Sequence, residues 1–220
     1  TTPFAHALSL IDAAHADDPT LTTLADGTTL PYELHYARQM TRYLALHTGA
    51  VLAYDCHAST RATETATAPP SEALQLAVRA QHLRRWEVPR SSYPPTRAGY
   101  LSWRTGQGKR AGALASSYCA TAGLAPAICA RVQALVGKEG LRTGDAEAQI
   151  LEDVACLVFL DDQFAGFVAG GGGAVEVDEE KAVRIVRKTW AKMGGRGREL
   201  AGGIAGVLEG KAGEVLARAL

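Results

Sequence analysis

With 220 residues and 47% hydrophobic content, the chain can bury a substantial core and is most simply one domain. Its 23 basic and 23 acidic residues balance, and no apolar run approaches the roughly 20 residues needed to cross a bilayer, which excludes a membrane span. Cys56, Cys119, Cys129 and Cys156 are too widely spaced for a zinc knuckle or a C-x-x-C redox pair, so a reducing, intracellular setting is the default.

The sequence begins at Thr1, with neither a signal-peptide core nor an Arg-rich transit segment. The expectation is a trimmed chain or one whose leader has gone, in the cytoplasm or an organelle. Phe4, Ala7, Leu8, Ile11 and Ala14 recur at helical spacing and predict a helix over 3–16, ended by Asp17, Asp18 and Pro19. Residues 19–30 read as a polar connection. A second helix follows from Leu30-Pro31 to about His47, with Tyr32, Tyr36, Met40 and Tyr43 on one face. From 48 to 70 the composition turns to Ala, Thr and Ser with a Pro-Pro end, the mark of a surface insertion.

Ser71 is placed to cap a third helix over 72–86, with Leu76, Ala80 and Leu83 as its core stripe and His82 at the edge of that stripe. Pro89, Pro94 and Pro95 make the next stretch an irregular loop. A fourth helix spans about 97–122, weakened near Gly106 and Gly108 and closed by Gly123. Shorter helices follow over 125–137 and 145–169, the second the most apolar, then a flexible Gly170–Gly173 break. Asp178 can cap a last strong helix ending near Met193, and the Gly-rich remainder, 194–220, is at best weakly helical. No segment alternates with period two, so the fold class is all-α, a single-domain multi-helix bundle over 1–193 with a C-terminal extension.

One window concentrates charge. Residues 79–110 hold seven Arg and one Lys against the single acid Glu87, a net of +7 in a neutral chain. Solvated faces intersperse the two signs, so the crowding predicts an anion site. Arg79, Arg84, Arg85, Arg90, Arg97 and Arg104 offer planar forks for phosphate oxygens, and Trp86 and Tyr93 offer faces for stacking. The bland alternative is that these arginines pair with acids elsewhere. Asp153 has Ile150, Leu157, Leu160 and Phe164 on its own helical face, so its carboxylate must be paired, hydrogen-bonded or metal-bound. His82 and Asp153 from two helices of a bundle are candidate ligands to a divalent metal; a hydrogen-bonded histidine and a buried salt bridge are the plainer readings.

The segments IDAAHADDP (11–19), VRAQHLRRWEVPRSSYPPTRAGYLSWRT (78–105), RVQALVGKEGL (131–141), LEDVACLVFL (151–160) and VRKTWAKM (186–193) resemble the family catalogued as domain of unknown function 4202. That family is in turn similar to a divergent HD-type phosphohydrolase, a helix bundle around a metal. The resemblance implies an HD-domain-like bundle with Tyr36 near the first ligand, His82 near the His-Asp pair and Asp153 as the last carboxylate. It also exposes departures: Ala111-Gly112 stands where the family has His-Ala, and Asp161-Asp162 where it has Glu-His. Glu139 or Asp162 is then left to complete a metal shell, with Glu139 a candidate ligand or general base. Two functions follow: a metal-dependent phosphohydrolase acting on a nucleotide or other phosphorylated small molecule, or a degenerate module whose basic and aromatic window grips RNA or an acidic protein partner.

Overall fold

The computed structural model describes residues 1–50, 52, 69–170 and 178–220, and the fold is all-α apart from one small hairpin. Most of the expected insertion at 48–70 and of the Gly170–Gly173 break lies outside the described residues. The chain forms two compact units, 1–148 and 149–220.

In the first unit, α1 (Pro3–Ala16) starts where Thr2 Oγ1 accepts the Ala5 amide and Pro3 presets the first turn, and it buries Ala7, Leu8, Ile11, Ala14 and His15. The polar connection holds two three-residue strands, β1 (Leu21–Thr23) and β2 (Thr29–Pro31), paired antiparallel with Leu21 opposite Pro31. Strands this short carry too few residues for alternation to show in sequence. Asp18 anchors the hairpin by accepting the Thr20 and Glu33 amides at 2.9 and 3.0 Å. Helix α2 (Tyr32–Thr48) then buries Tyr36, Met40, Tyr43 and Leu44 and ends at Gly49, whose φ of 68° suits glycine.

Ser71 caps α3 as expected, but α3 is Glu72–Arg79 and stops seven residues short of Trp86. The reason is a distant side chain. The Glu33 carboxylate takes the amides of Arg84, Arg85 and Trp86, which a continuing helix would have given to its own preceding turn. His82 and Arg84 adopt left-handed φ values of 63° and 52°, and short 3₁₀ turns follow at Arg85–Glu87 and Arg90–Ser92.

Helix α4 (Arg97–Thr121) is capped by Thr96 Oγ1 and runs unbroken through Gly106 and Gly108, which sit where neighbours come close: a Cβ at 106 would lie 3.3 Å from Tyr93 Oη. Helix α5 (Pro126–Val136) packs along α4 and buries Cys129, Val132, Leu135 and Val136. Beyond it Arg131 forks onto Asp145 at 2.7 and 2.8 Å, and this holds the Asp145 carboxyl well below the ordinary range while Asp145 Oδ1 accepts the Ala148 amide.

Gly99 is the tightest contact in this unit. A Cβ there would stand 2.2 Å from the Pro94 carbonyl oxygen, a backbone atom with no rotamer to yield. Gly99→Ala is therefore expected to lower stability by about 2–3 kcal/mol, the usual scale of overpacking, read as a drop in the urea midpoint at unchanged slope. A midpoint like that of the parent would mean that the loop does not cross α4 there.

The second unit begins within α6 (Ala146–Val158), which passes through a π turn at Phe159–Gln163 into α7 (Phe164–Val168). The edge-on contacts of Phe159 with Phe164 and Phe167, at 5.8 and 6.3 Å, close that turn. Helix α8 (Glu179–Lys192) follows Asp178, which occupies the cap position without a side-chain cap bond. The Gly-rich remainder forms two further helices, α9 (Gly195–Ala205) and α10 (Gly210–Ala219), in place of the weakly helical tail expected. Burial of Ala201, Ile204, Ala212, Val215 and Leu216 outweighs the low helix propensity of glycine.

Candidate anion-binding site

The +7 window divides sharply by partner. Arg79 is buried and spends its guanidinium inside the first unit, on both Asp12 oxygens at 2.6 and 2.8 Å and on Thr41 Oγ1 at 3.0 Å. Arg84 pairs with Asp17 at 2.5 Å and Glu87 at 2.9 Å. Arg90 donates to the carbonyls of Tyr93, Pro94 and Thr96, clipping its own loop into shape. These three, expected to bind phosphate, are thus engaged by the protein's own acceptors. Arg97 and Arg104 are exposed on α4 and make no ion pair among the described residues.

Arg85 stands apart. Its guanidinium lies 4.4 Å over the Trp103 ring and meets no carboxylate among the described residues; burial draws it below the usual arginine range, yet it stays a cation. Trp103 is held in turn by its Nε1–H donating to the Val88 carbonyl at 2.9 Å, and Gln107 donates to the carbonyls of Arg85 and Val88 at 3.0 and 2.6 Å. Arg110 adds a bond to the Arg84 carbonyl at 2.8 Å, so α4 grips the whole 84–88 segment.

His82 stacks face to face on Tyr36 of α2, with ring centroids 4.2 Å apart and planes at 14°. Its ring nitrogens hydrogen-bond no described residue. Removal from water pushes its pKa well below 6.5, and the charges of Arg85, Lys138, His15 and Arg104 press the same way. At neutral pH His82 is an uncharged imidazole among cations. The left-handed non-glycine residues among those described are His82, Arg84 and Lys138, and the Lys138 charge reaches the His82 ring. Strain of this kind costs of order 1–3 kcal/mol per residue and gathers at functional sites. Two buried donors in the same stretch, Arg84 Nε and Trp86 Nε1, find no acceptor among the described residues.

The other expected site residues fall differently. Tyr93 lies against Gly106, Trp86 is half-buried, and Glu139 is exposed at the corner after α5. Asp153 belongs to the second unit, where its Oδ1 accepts from Gln149 Nε2 and the Gly194 amide, both at 2.8 Å. A Cβ at Gly197 would be 2.7 Å from its carboxyl carbon, so the carboxylate lies directly over the first turn of α9 and serves that helix N-terminus. No three of His, Cys, Asp and Glu gather as a metal-holding group among the described residues. His82 lies among cations in the first unit, and Asp153 accepts from Gln149 and the Gly194 amide in the second.

Sequence reading missed Glu33 and Lys138. Glu33 had a faint signal, a carboxylate one helical turn before Tyr36 on the apolar face of α2; Lys138 had none until its left-handed backbone was seen.

The fold and this site define an all-α protein in which cations and aromatic rings gather around a neutral histidine. The family described as domain of unknown function (DUF4202) matches residues 5–214, and the chain belongs to it. Neither a curated protein nor a solved structure matches the chain. No helix among the described residues is long and apolar enough to cross a membrane.

Proposed function

We propose that the chain binds a phosphorylated small molecule of nucleotide type beside His82, Arg85, Arg104 and Lys138, and hydrolyses its phosphate ester. The observation that carries the reading is Arg85, a partly desolvated guanidinium stacked on Trp103 that meets no carboxylate among the described residues, beside the neutral imidazole of His82. The guanidinium supplies paired donors to phosphate oxygens, and Lys138 and Arg104 add positive field. The exposed ring of Tyr100, tilted against Trp103, suits a base or sugar. Neutral His82 supplies a lone pair that takes the proton of an attacking water. Hydrolysis as the reaction draws on the resemblance to HD-type phosphohydrolases. Cys119, Cys129 and Cys156 form no disulfide among the described residues, which suits a reducing compartment.

The test is titration with adenosine monophosphate, followed by phosphate release with and without magnesium or manganese. Arg85→Ala should weaken binding about 10- to 100-fold, the worth of a charged hydrogen bond of about 1.5–3 kcal/mol, while stability changes little. Arg90→Ala should do the reverse, loosening the loop with affinity retained. Equal affinity in the parent and in Arg85→Ala would remove the site. Salt-dependent RNA binding with no mononucleotide affinity would favour the nucleic-acid module instead.

A further inference from the structure

Three consecutive amides, those of Arg84, Arg85 and Trp86, converge on one buried carboxylate. Glu33 Oε2 accepts from Arg84 at 2.9 Å, and Oε1 from Arg85 at 2.6 Å and Trp86 at 3.2 Å. A concavity of successive N–H groups next to a left-handed residue is a shape that captures free anions, and here an internal side chain fills it. Glu33 is itself fixed. Its own amide donates to Asp18, and its Oε2 faces His15 Nδ1 at 3.3 Å, while His15 Nε2–H donates to the Arg79 carbonyl at 2.9 Å. Both ring nitrogens of His15 thus face oxygens, and the ring is wedged between Glu33 and the Arg79 backbone.

Glu33 and Tyr36 are one helical turn apart on α2. A single face of α2 therefore grips the same short segment twice, through its backbone at 84–86 and through the His82 ring. This geometry explains how two strained residues are held in place and why the Arg85 guanidinium settles over Trp103.

We propose that Glu33 is a positioning residue of the phosphate site, acting through the 84–86 backbone to hold His82 and Arg85 in their binding arrangement. The inference rests on the proposed ligand reading for its affinity test, and a second readout stands apart from that reading. In Glu33→Gln an amide N–H₂ confronts peptide donors, so the segment loses at least one acceptor. Adenosine monophosphate affinity, measured per folded molecule by calorimetry with the folded fraction checked by circular dichroism, should fall at least 10-fold. In an Arg85→Ala background the same change should cost clearly less than in the parent, because part of its effect runs through Arg85. A merely structural Glu33 would leave the affinity of the folded fraction unchanged or give additive losses, and either result overturns the proposal.

The ligand-free readout is the NMR resonance of the Arg85 Nε–H, displaced by the ring current of Trp103. That displacement should collapse in Glu33→Gln, and its persistence overturns the proposal. If the parent protein does not bind the nucleotide while the displacement still collapses, the ligand reading falls and the positioning role stands. Glu33→Asp keeps the charge on a shorter arm and carries both readouts if Glu33→Gln does not fold.

Discussion

Arg79→Ala is expected to cost about 3 kcal/mol, among the largest losses of any single change in the first unit. The guanidinium is only 7% exposed and braces α3 against α1 through both Asp12 oxygens and against α2 through Thr41. Its loss removes two charged bonds to Asp12 and one to Thr41, which keeps its own bond to the Ala37 carbonyl, together with the packing of a buried side chain. Urea denaturation is the measurement. Arg79→Lys should recover little, since an ammonium cannot reproduce the two-pronged contact with Asp12. A loss under about 1 kcal/mol for Arg79→Ala would return Arg79 to the list of ligand-binding arginines.

Asp153→Ala should cost a further unit-specific 2–3 kcal/mol, and here the choice of replacement decides between two roles. As a cap on α9, the carboxylate is needed for an acceptor oxygen and a negative charge over the first turn. Asparagine retains the acceptor oxygen for Gln149 and the Gly194 amide, so Asp153→Asn should restore most of the stability. A metal ligand would behave the other way, with Asp153→Asn abolishing ion binding and any activity that needs it. Thermal melts of the three proteins, each with and without a divalent ion and a chelator, separate the cases: an ion-dependent shift in the parent that vanishes in Asp153→Asn would return this residue to metal chemistry.

Much of the fold was legible because it rests on local signals. The spacing of Leu8 and Ile11, the Ser71 cap and the left-handed Gly123 each act within a turn of where they stand, and each is found where periodicity places it. What escaped was set by partners distant in sequence. The early end of α3 is imposed by Glu33, 51 residues before Arg84, and no pattern within 72–86 encodes it. The same holds for charge: Arg79, Arg84 and Arg85 look alike in sequence, and only the positions of Asp12, Asp17 and Trp103 tell a brace, a surface pair and an uncompensated cation apart. Helices α9 and α10 were hidden for another reason, since glycine lowers local propensity. Yet Ala212, Val215 and Leu216 keep the helical spacing, and giving that spacing more weight than composition would have found α10.

The clip made by Arg90 bears on survival in a cell. Trypsin-like proteases must draw a basic side chain into their own specificity pocket and lay the neighbouring peptide out straight before cutting. Arg90 already has its fork on the Tyr93 and Pro94 carbonyls, and Arg79, Arg84 and Arg110 are likewise tied down by partners within the fold. These four arginines are thereby withheld from the enzymes that seek arginine, and cleavage after them waits on the folded unit opening first.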